Sequence, residues 1–136
     1  MVKIIVGPKG TGKTKTLIDM VNNSVEKEKG DVVCIEKGEK LTYDINHKAR
    51  LISMSQFMIS DFSAFIGFIC GIVASDYDIS VIYIDSIFKI AGDSMDDLAQ
   101  FLEYMDLFTE KNNFKMILTA SADKENIPER IHKYFM

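Results

Sequence analysis

The residues with the clearest chemical meaning form a glycine-rich loop near the start of the chain. The loop fits the pattern G-x-x-x-x-G-K-[ST] and consists of Gly7, Pro8, Lys9, Gly10, Thr11, Gly12, Lys13 and Thr14. Glycines let a backbone wrap an anion without Cβ clashes, so successive N–H groups can point at phosphate oxygens. The lysine would bring a positive charge to the β- and γ-phosphates, and the threonine hydroxyl would be a ligand of Mg²⁺. The loop predicts a site for a nucleoside triphosphate, with ATP and Mg²⁺ expected.

A carboxylate at the end of a buried strand is the second candidate. Residues 81–84 form a continuous apolar run that ends at Asp85. A charge in such a position is costly unless something compensates it, and Mg²⁺ would do so. An aspartate at a strand end is by itself more often a cap or turn residue. Combined with the loop, Asp85 is predicted to hold the metal together with Thr14.

The elements that must position these residues alternate between strands and helices. Short apolar runs and amphipathic stretches predict strands at 2–6, 31–36, 81–84 and 115–119, and helices at 13–29, 60–75 and 95–108. Such alternation indicates an α/β fold, a three-layer sandwich with a mainly parallel central sheet. Residues 41–45 and 50–54 flank a polar tetrapeptide and predict a small β-hairpin insertion.

Three glycines outside the loop have predicted structural roles. Gly30 follows the first helix, where a left-handed cap is expected. Gly67 and Gly71 lie four residues apart in a helix that is apolar nearly all round, and we expect them to permit close packing in the core. That helix is predicted to be deeply buried or to lie at an interface.

Composition and charge exclude several classes of protein. The chain has 136 residues, 47% hydrophobic and 26% charged, which is typical of one globular domain covering residues 1–136. Its net charge of −4 argues against a general nucleic-acid-binding surface. The longest apolar run, residues 64–74, would rise only about 16 Å as a helix against about 30 Å of hydrocarbon, so no membrane span is expected. Two cysteines in apolar runs favour buried thiols in a reducing compartment, hence a cytoplasmic protein.

The two motifs together resemble those of P-loop NTPases, and more narrowly those of the RecA/KaiC-type ATPases. Residues 81–88, with the sequence VIYIDSIF, are similar to the Walker B strand of that group, in which a small polar residue follows the aspartate. The resemblance covers roughly residues 2–36 and 80–122. It implies that Glu36 polarises the attacking water, with Glu39 as a nearby substitute. A solvated strand-end charge is an equal alternative for Glu36.

The same resemblance implies a polar sensor of the γ-phosphate at the end of the last strand, where Thr119 and Ser121 stand. The alternative is that these hydroxyls cap the following turn. Ser86 replaces the acidic residue that other ATPases place directly after the aspartate. Arg130 would be a charge donor to phosphate, although an ordinary surface arginine is favoured.

Three functions are compatible with these residues. The first is a Mg²⁺-dependent ATPase in which Lys13, Asp85 and Glu36 are catalytic. The second is a nucleotide-dependent switch or interaction module with little hydrolysis. The third is a small-molecule kinase, which two scattered arginines make the weakest. A homo-oligomer or a protein partner is compatible with the apolar helix, because related ATPases often complete their sites across subunits.

Overall fold

Five strands form one sheet at the centre of the molecule. The computed structural model describes all residues, 1–136. The strands are β1 (Val2–Gly7), β2 (Asp31–Glu36), β3 (Arg50–Ser53), β4 (Ile79–Ile84) and β5 (Lys115–Ser121). Their order across the sheet is β1-β5-β4-β2-β3, and every pairing is parallel. The predicted α/β fold is confirmed, and the sheet is parallel throughout.

Helices cover both faces of this sheet. They are α1 (Lys13–Lys27), α2 (Phe62–Ser75), α3 (Ile87–Ala91), α4 (Met95–Asn112) and α5 (Glu129–His132), with 3₁₀ turns at Met54–Gln56 and Lys124–Asn126. Alternate residues of β2 enter two separate cores, because successive strand side chains point to opposite faces. Val32 and Cys34 pack with α1, whereas Val33 and Ile35 pack with α2, α3 and α4. The result is the predicted three-layer sandwich.

The predicted hairpin is wrong. β3 pairs with β2 in parallel, and residues 41–49 form turns rather than a strand. Leu41 and Ile45 are buried against α1, while Tyr43 between them is 99% exposed. The side chain of Asn22 on α1 holds this segment through two hydrogen bonds. Its Nδ2 donates to the carbonyl of Asp44 at 2.9 Å, and its Oδ1 accepts from the amide of residue 46 at 2.8 Å. Packing on α1 therefore overrides the alternating pattern that suggested a strand.

The two long helices of the larger core, α2 and α4, each have a side-chain N-cap. Asp61 accepts a hydrogen bond from the amide of Ala64 at 2.8 Å at the start of α2. Ser94 accepts one from the amide of Asp97 at 3.2 Å at the start of α4. These bonds satisfy amides that have no partner inside the helix.

The small residues of α2 face outward. Phe62, Phe65 and Ile69 are buried, whereas Gly67 and Gly71 are exposed, and a Cβ at either glycine would have no neighbour within 4 Å. The expectation that these glycines pack in the core is therefore wrong. An apolar helix can have a solvent face when that face consists of its smallest residues. No helix of the chain has both the length and the apolar character required to cross a membrane.

Gly30 has a different role from the predicted left-handed cap. α1 ends with Glu28 in an extended conformation, and Gly30 does not have a positive φ. The segment after α1 passes very close to the turn before β4, where the Asp31 amide donates to the Asp78 carbonyl at 2.7 Å. A Cβ at Gly30 would lie 2.1 Å from that carbonyl oxygen. Close backbone approach explains the glycine.

Candidate functional site

The loop of residues 7–14 joins β1 to α1 and presents unused amides. Gly10 and Gly12 both have a φ of +83°, a left-handed conformation that glycine adopts without strain. A Cβ at Gly7 would lie 3.0 Å from the Thr11 hydroxyl, so the first glycine is required by close packing. The amides of residues 10–14 donate no hydrogen bond to any backbone or side-chain acceptor. A run of free amides at a helix N-terminus suits an anion.

Lys13 folds back over this loop. Its Nζ donates to the carbonyl of Pro8 at 2.9 Å, and the hydroxyl of Thr11 donates to the same carbonyl at 2.7 Å. The ammonium group therefore lies across the loop. Pro8 and Lys9 are exposed on its outer side. The positive charge and the free amides are on one short stretch of chain.

Asp85 is at the centre of a hydroxyl network at the end of β4. It is 9% exposed, and the hydroxyl of Thr14 donates to its carboxylate, at 3.1 Å from Oδ1 and 3.3 Å from Oδ2. The buried hydroxyl of Thr119 on β5 donates to Oδ1 at 2.9 Å and accepts from the amide of Ser86 at 2.8 Å. Ser86 has a φ of 58°, an uncommon left-handed conformation outside glycine, which directs its amide toward Thr119.

The pair of Thr14 and Asp85 has the donor chemistry for Mg²⁺. Hydroxyl and carboxylate oxygens are hard ligands of the kind that this ion prefers, and here they are within hydrogen-bond distance of each other. One ion could contact both oxygens while phosphate oxygens complete its coordination. The structure thus brings together the loop and the carboxylate that the sequence predicted as metal ligands.

Glu36 reaches the same region from the end of β2. It is 4% exposed, and it lines a cavity of about 290 Å³ together with Thr14 and Asp85. Its Oε1 accepts from the Lys40 amide at 3.0 Å, and its Oε2 accepts from the Leu41 amide at 3.1 Å. Burial raises the pKa of Glu36, and the two amide bonds partly oppose this rise. The carboxylate is therefore near the site and also holds the following loop.

A comparison with protein families agrees with this geometry. The family model described as "ATPase family associated with various cellular activities (AAA)" matches residues 3–135. The chain belongs to the AAA family. A search of curated proteins found no match. AAA proteins are P-loop NTPases, so the match supports nucleotide binding and ATPase activity as the general function.

The other predicted site residues of this AAA protein do not line the cavity that contains Thr14 and Asp85. Ser121 is exposed and lies opposite Gly7 in the register of β5 and β1. Glu39 is exposed and lines a neighbouring cavity of about 330 Å³. Arg130 does not line the cavity of Thr14 and Asp85, and its Nε lies 3.8 Å from Glu103 Oε1.

Three lysines at the site were not identified from the sequence. Lys37, Lys40 and Lys89 line the cavity that contains Thr14 and Asp85. The signal that could have found them is their position, because Lys37 and Lys40 follow the end of β2 and Lys89 follows the end of β4. In parallel α/β sheets the loops after the strands meet at one edge, where ligands bind.

Proposed function

We propose that this AAA protein binds MgATP at the loop of residues 7–14 and hydrolyses it. The observation that carries the proposal is the contact between Thr14 and Asp85, next to five unused amides. Nucleotide phosphates would accept hydrogen bonds from those amides, and the Lys13 ammonium would exchange the Pro8 carbonyl for phosphate oxygens. Such fixed donors stabilise the charge that develops during phosphoryl transfer.

Thr14 and Asp85 would hold the metal, and Thr119 would hold Asp85. When held by these two residues, Mg²⁺ would supply positive charge against the phosphates of the nucleotide. Thr119 is 1% exposed, and its hydroxyl both donates a hydrogen bond to Asp85 and accepts one from the amide of Ser86. We therefore assign Thr119 to positioning the carboxylate, in place of the direct phosphate contact that the resemblance implies.

Glu36 is the residue we propose to orient the attacking water. The support is its place in the same cavity as Thr14 and Asp85. The resemblance of the motifs to those of the RecA/KaiC-type ATPases would also place a catalytic glutamate at this strand end. A buried carboxylate with a raised pKa is a better proton acceptor than an exposed one. Its bonds to the Lys40 and Leu41 amides would keep its orientation fixed during the reaction.

The same bonds favour a second function, a nucleotide-dependent switch with slow turnover. Both oxygens of Glu36 are engaged by amides, and the residue after Asp85 is Ser86, which cannot act as a base. The loop after β2 is thereby tied to a group in the nucleotide cavity. A change at that group on binding would be transmitted to the loop, where a partner could detect it.

Calorimetric titration with MgATP, MgADP and MgGTP tests the binding proposal. Lys13→Ala should weaken MgATP binding by about 10- to 100-fold, the value of one charge-assisted hydrogen bond. Lys15→Ala is the matched control, because it removes an exposed lysine two positions away on α1. Equal affinities in the two variants would overturn the proposal.

Phosphate release under multiple turnover separates the two functions. For the ATPase, Glu36→Gln should bind MgATP as the wild type does and lose most of its turnover, as expected for loss of a general base. For the switch, the wild type should bind tightly and release almost no phosphate, and amide exchange of residues 37–41 should differ between the ATP and ADP complexes.

A further inference from the structure

The large apolar side chains on the surface are concentrated around α2. Seven such side chains are exposed, and all except Tyr43 and Met136 lie on the flanks or at the ends of this helix, namely Phe57, Met58, Tyr77, Tyr104 and Leu107. α2 itself contains no charged residue. These five side chains and the outer surface of α2 are together named the α2 face. An exposed apolar surface of this kind marks an interaction site.

Two sets of large side chains flank the outer surface of α2. On one side the centre of the Phe57 ring lies 5.2 Å from that of Phe68 on α2. On the other side the Tyr104 hydroxyl of α4 lies 3.7 Å from Sγ of Cys70 on α2, and Leu107 is one turn further along α4. Phe68 and Cys70 are two positions apart, so they point to different sides of the helix. The outer surface of α2 is therefore the floor between two apolar flanks.

The exposed residues of this floor are small, and their order is the same from both ends of the helix. They are Ser63, Ala64, Gly67, Gly71, Ala74 and Ser75, and the buried Ile69 is at the centre of the series. Two copies of α2 that run antiparallel about a two-fold axis at Ile69 would place Gly67 of each copy against Gly71 of the other, and alanine against alanine. Such small side chains let two helices approach closely. The series therefore fits a second copy of itself.

The charges at the two ends of the α2 face are opposite in sign. At one end Asp61 and Asp97 line a cavity of about 370 Å³ between the first turns of α2 and α4. At the other end Lys111 lines a cavity of about 400 Å³ in the last turns of α4, together with Tyr104 and Leu107. None of the three charged residues forms an ion pair within the chain. The same two-fold rotation would bring the acidic end of one copy to the basic end of the other, where the charges attract.

We propose that the α2 face is the contact surface of a symmetric dimer of this chain, in which two α2 helices pack antiparallel. A two-fold contact requires a surface that complements itself, and both the small residues and the end charges of this face do so. A membrane is a poorer occupant, because anionic lipid headgroups repel the carboxylates at one end. The face does not include the residues that line the cavity of Thr14 and Asp85, so the dimer is independent of the proposed nucleotide site.

The affinity of such a dimer should be modest. The contact is centred on a helix of 14 residues, which places it among the smaller protein interfaces, and we expect a dissociation constant in the micromolar range. In more dilute solution the subunits separate and the α2 face is bare. The effects of glycine substitutions on the fold of a single chain are therefore measured in dilute solution.

Sedimentation velocity over a range of about 1–200 µM protein tests the dimer. The average mass should rise from the 15.4 kDa of one chain toward twice that value. Gly67→Leu should raise the dissociation constant about tenfold or more, because the symmetry brings the added side chain into the contact twice. The fold of this variant should be retained, since a Cβ at residue 67 has no neighbour within 4 Å, and thermal unfolding checks this. Asn23→Leu is the control, because it adds a leucine on the exposed face of α1, across the sheet from α2.

Disulfide cross-linking tests the antiparallel order. In a Cys70→Ser background, oxidation of an equimolar mixture of the Ala64→Cys and Ala74→Cys proteins should give a covalent dimer. Neither protein alone should do so, because the antiparallel order separates identical positions by about 15 Å along the helix, and a disulfide spans at most about 7 Å between Cα atoms. A covalent dimer from the Ala64→Cys protein alone would indicate parallel helices and would contradict the proposed contact.

Reversal of the end charges tests their complementarity. Asp97→Lys and Lys111→Glu should each raise the dissociation constant of the dimer about 3- to 10-fold, because like charges would then meet at the ends. The two substitutions combined in one chain should restore the affinity. The combined variant keeps the same changes within α4, so its recovery would not come from the stability of that helix.

The dimer is overturned if the wild type stays at 15.4 kDa at the highest concentration, or if Gly67→Leu dimerises as tightly as the wild type. A monomeric wild type that sediments with phosphatidylcholine vesicles would identify a membrane as the occupant of the α2 face. A monomeric wild type that does not bind vesicles would leave the face to a different protein. Each of these two outcomes also overturns the proposal.

Discussion

The hydroxyl of Thr14 lies 3.1 Å from Oδ1 of Asp85, although the two residues are 71 positions apart in the chain. This contact joins the first turn of α1 to the end of β4. Thr119 on β5, the strand between β1 and β4, contacts the same oxygen at 2.9 Å. The sheet order thus brings three segments together, and the two hydroxyls hold the carboxylate of Asp85 in one orientation. A preorganised carboxylate loses little freedom when it meets a metal.

Removal of the Thr14 hydroxyl should make nucleotide binding insensitive to Mg²⁺. Thr14→Ala should lower the affinity for MgATP by about 10- to 100-fold, a typical effect at a metal site. In the presence of a chelator the variant and the wild type should bind ATP equally, because the amides of the loop are intact. Thr14→Ser should restore the dependence on Mg²⁺. If Thr14→Ala still responds fully to Mg²⁺ in calorimetry, the metal is held elsewhere.

Thr119→Val should destabilise the fold and weaken MgATP binding together. The substitution keeps the shape but leaves the amide of Ser86 without its acceptor, and Oδ1 of Asp85 keeps only the hydrogen bond from Thr14. The free energy of unfolding should fall by about 1–3 kcal/mol, the cost of an unsatisfied buried polar group. Thr119→Ser retains the hydroxyl and should lose less. Urea denaturation measures the difference, and equal stability of the two variants would show that the hydroxyl is not needed.

The parts of the site that follow from local chemistry could be predicted from the sequence. A phosphate loop needs glycines and a lysine at fixed spacing, and Asp85 ends an uninterrupted apolar strand. Each of these two signals is contained within a stretch of about ten residues. The parallel sheet also followed, since alternating strands and helices permit few topologies.

The parts that depend on neighbouring elements could not be predicted. The segment 41–49 has an alternating pattern, but its conformation is decided by Asn22 on α1. The cavity lined by Lys37, Lys40 and Lys89 exists because β2 is next to β4 in the sheet. No residue pattern predicts that strand order. The exposed face of α2 was also missed, because its outer residues are glycine, alanine and serine, which contrast only weakly with the apolar residues of the buried face.

The stability contribution of Glu36 should depend on pH. Burial raises its pKa above the ordinary value of 4.5, so the folded state favours the protonated form. This contribution is fully present below about pH 4.5 and is lost as the pH rises through the folded-state pKa. Glu36→Gln stays neutral, so the stability of the wild type relative to this variant should decrease from pH 4 to pH 8. A difference that is constant across this range would contradict the shift.

Cys34 should resist alkylation in the folded protein. Burial raises the pKa of its thiol to about 12, and the side chain is not exposed. Cys70 is only partly buried and should react. Because the thiolate is the reactive form, mass spectrometry should show one modification in native conditions and two after denaturation. Cys70→Ser should show none in native conditions. Rapid modification of that variant would mean that the core around β2 opens readily.

Two glycine-to-alanine substitutions should have opposite effects on stability. Gly30→Ala places a Cβ 2.1 Å from the Asp78 carbonyl oxygen, a backbone atom that cannot move aside as a side chain can. We expect a loss of about 1–3 kcal/mol or more, as for overpacking elsewhere. Gly67→Ala meets no atom within 4 Å and lies inside α2, so it should gain about 0.5–1 kcal/mol from helix propensity.

Thermal and urea unfolding of the two alanine variants would measure both effects. Because the substitution is the same at each site, differences in composition or in the added methyl group cancel. A destabilised Gly67→Ala would mean that the outer face of α2 is covered in solution, since a bare face has room for the methyl group. A Gly30→Ala variant as stable as the wild type would mean that the turn before β4 can move away from the start of β2. The hydrogen bond from the Asp31 amide to the Asp78 carbonyl would then contribute little to holding these two segments together.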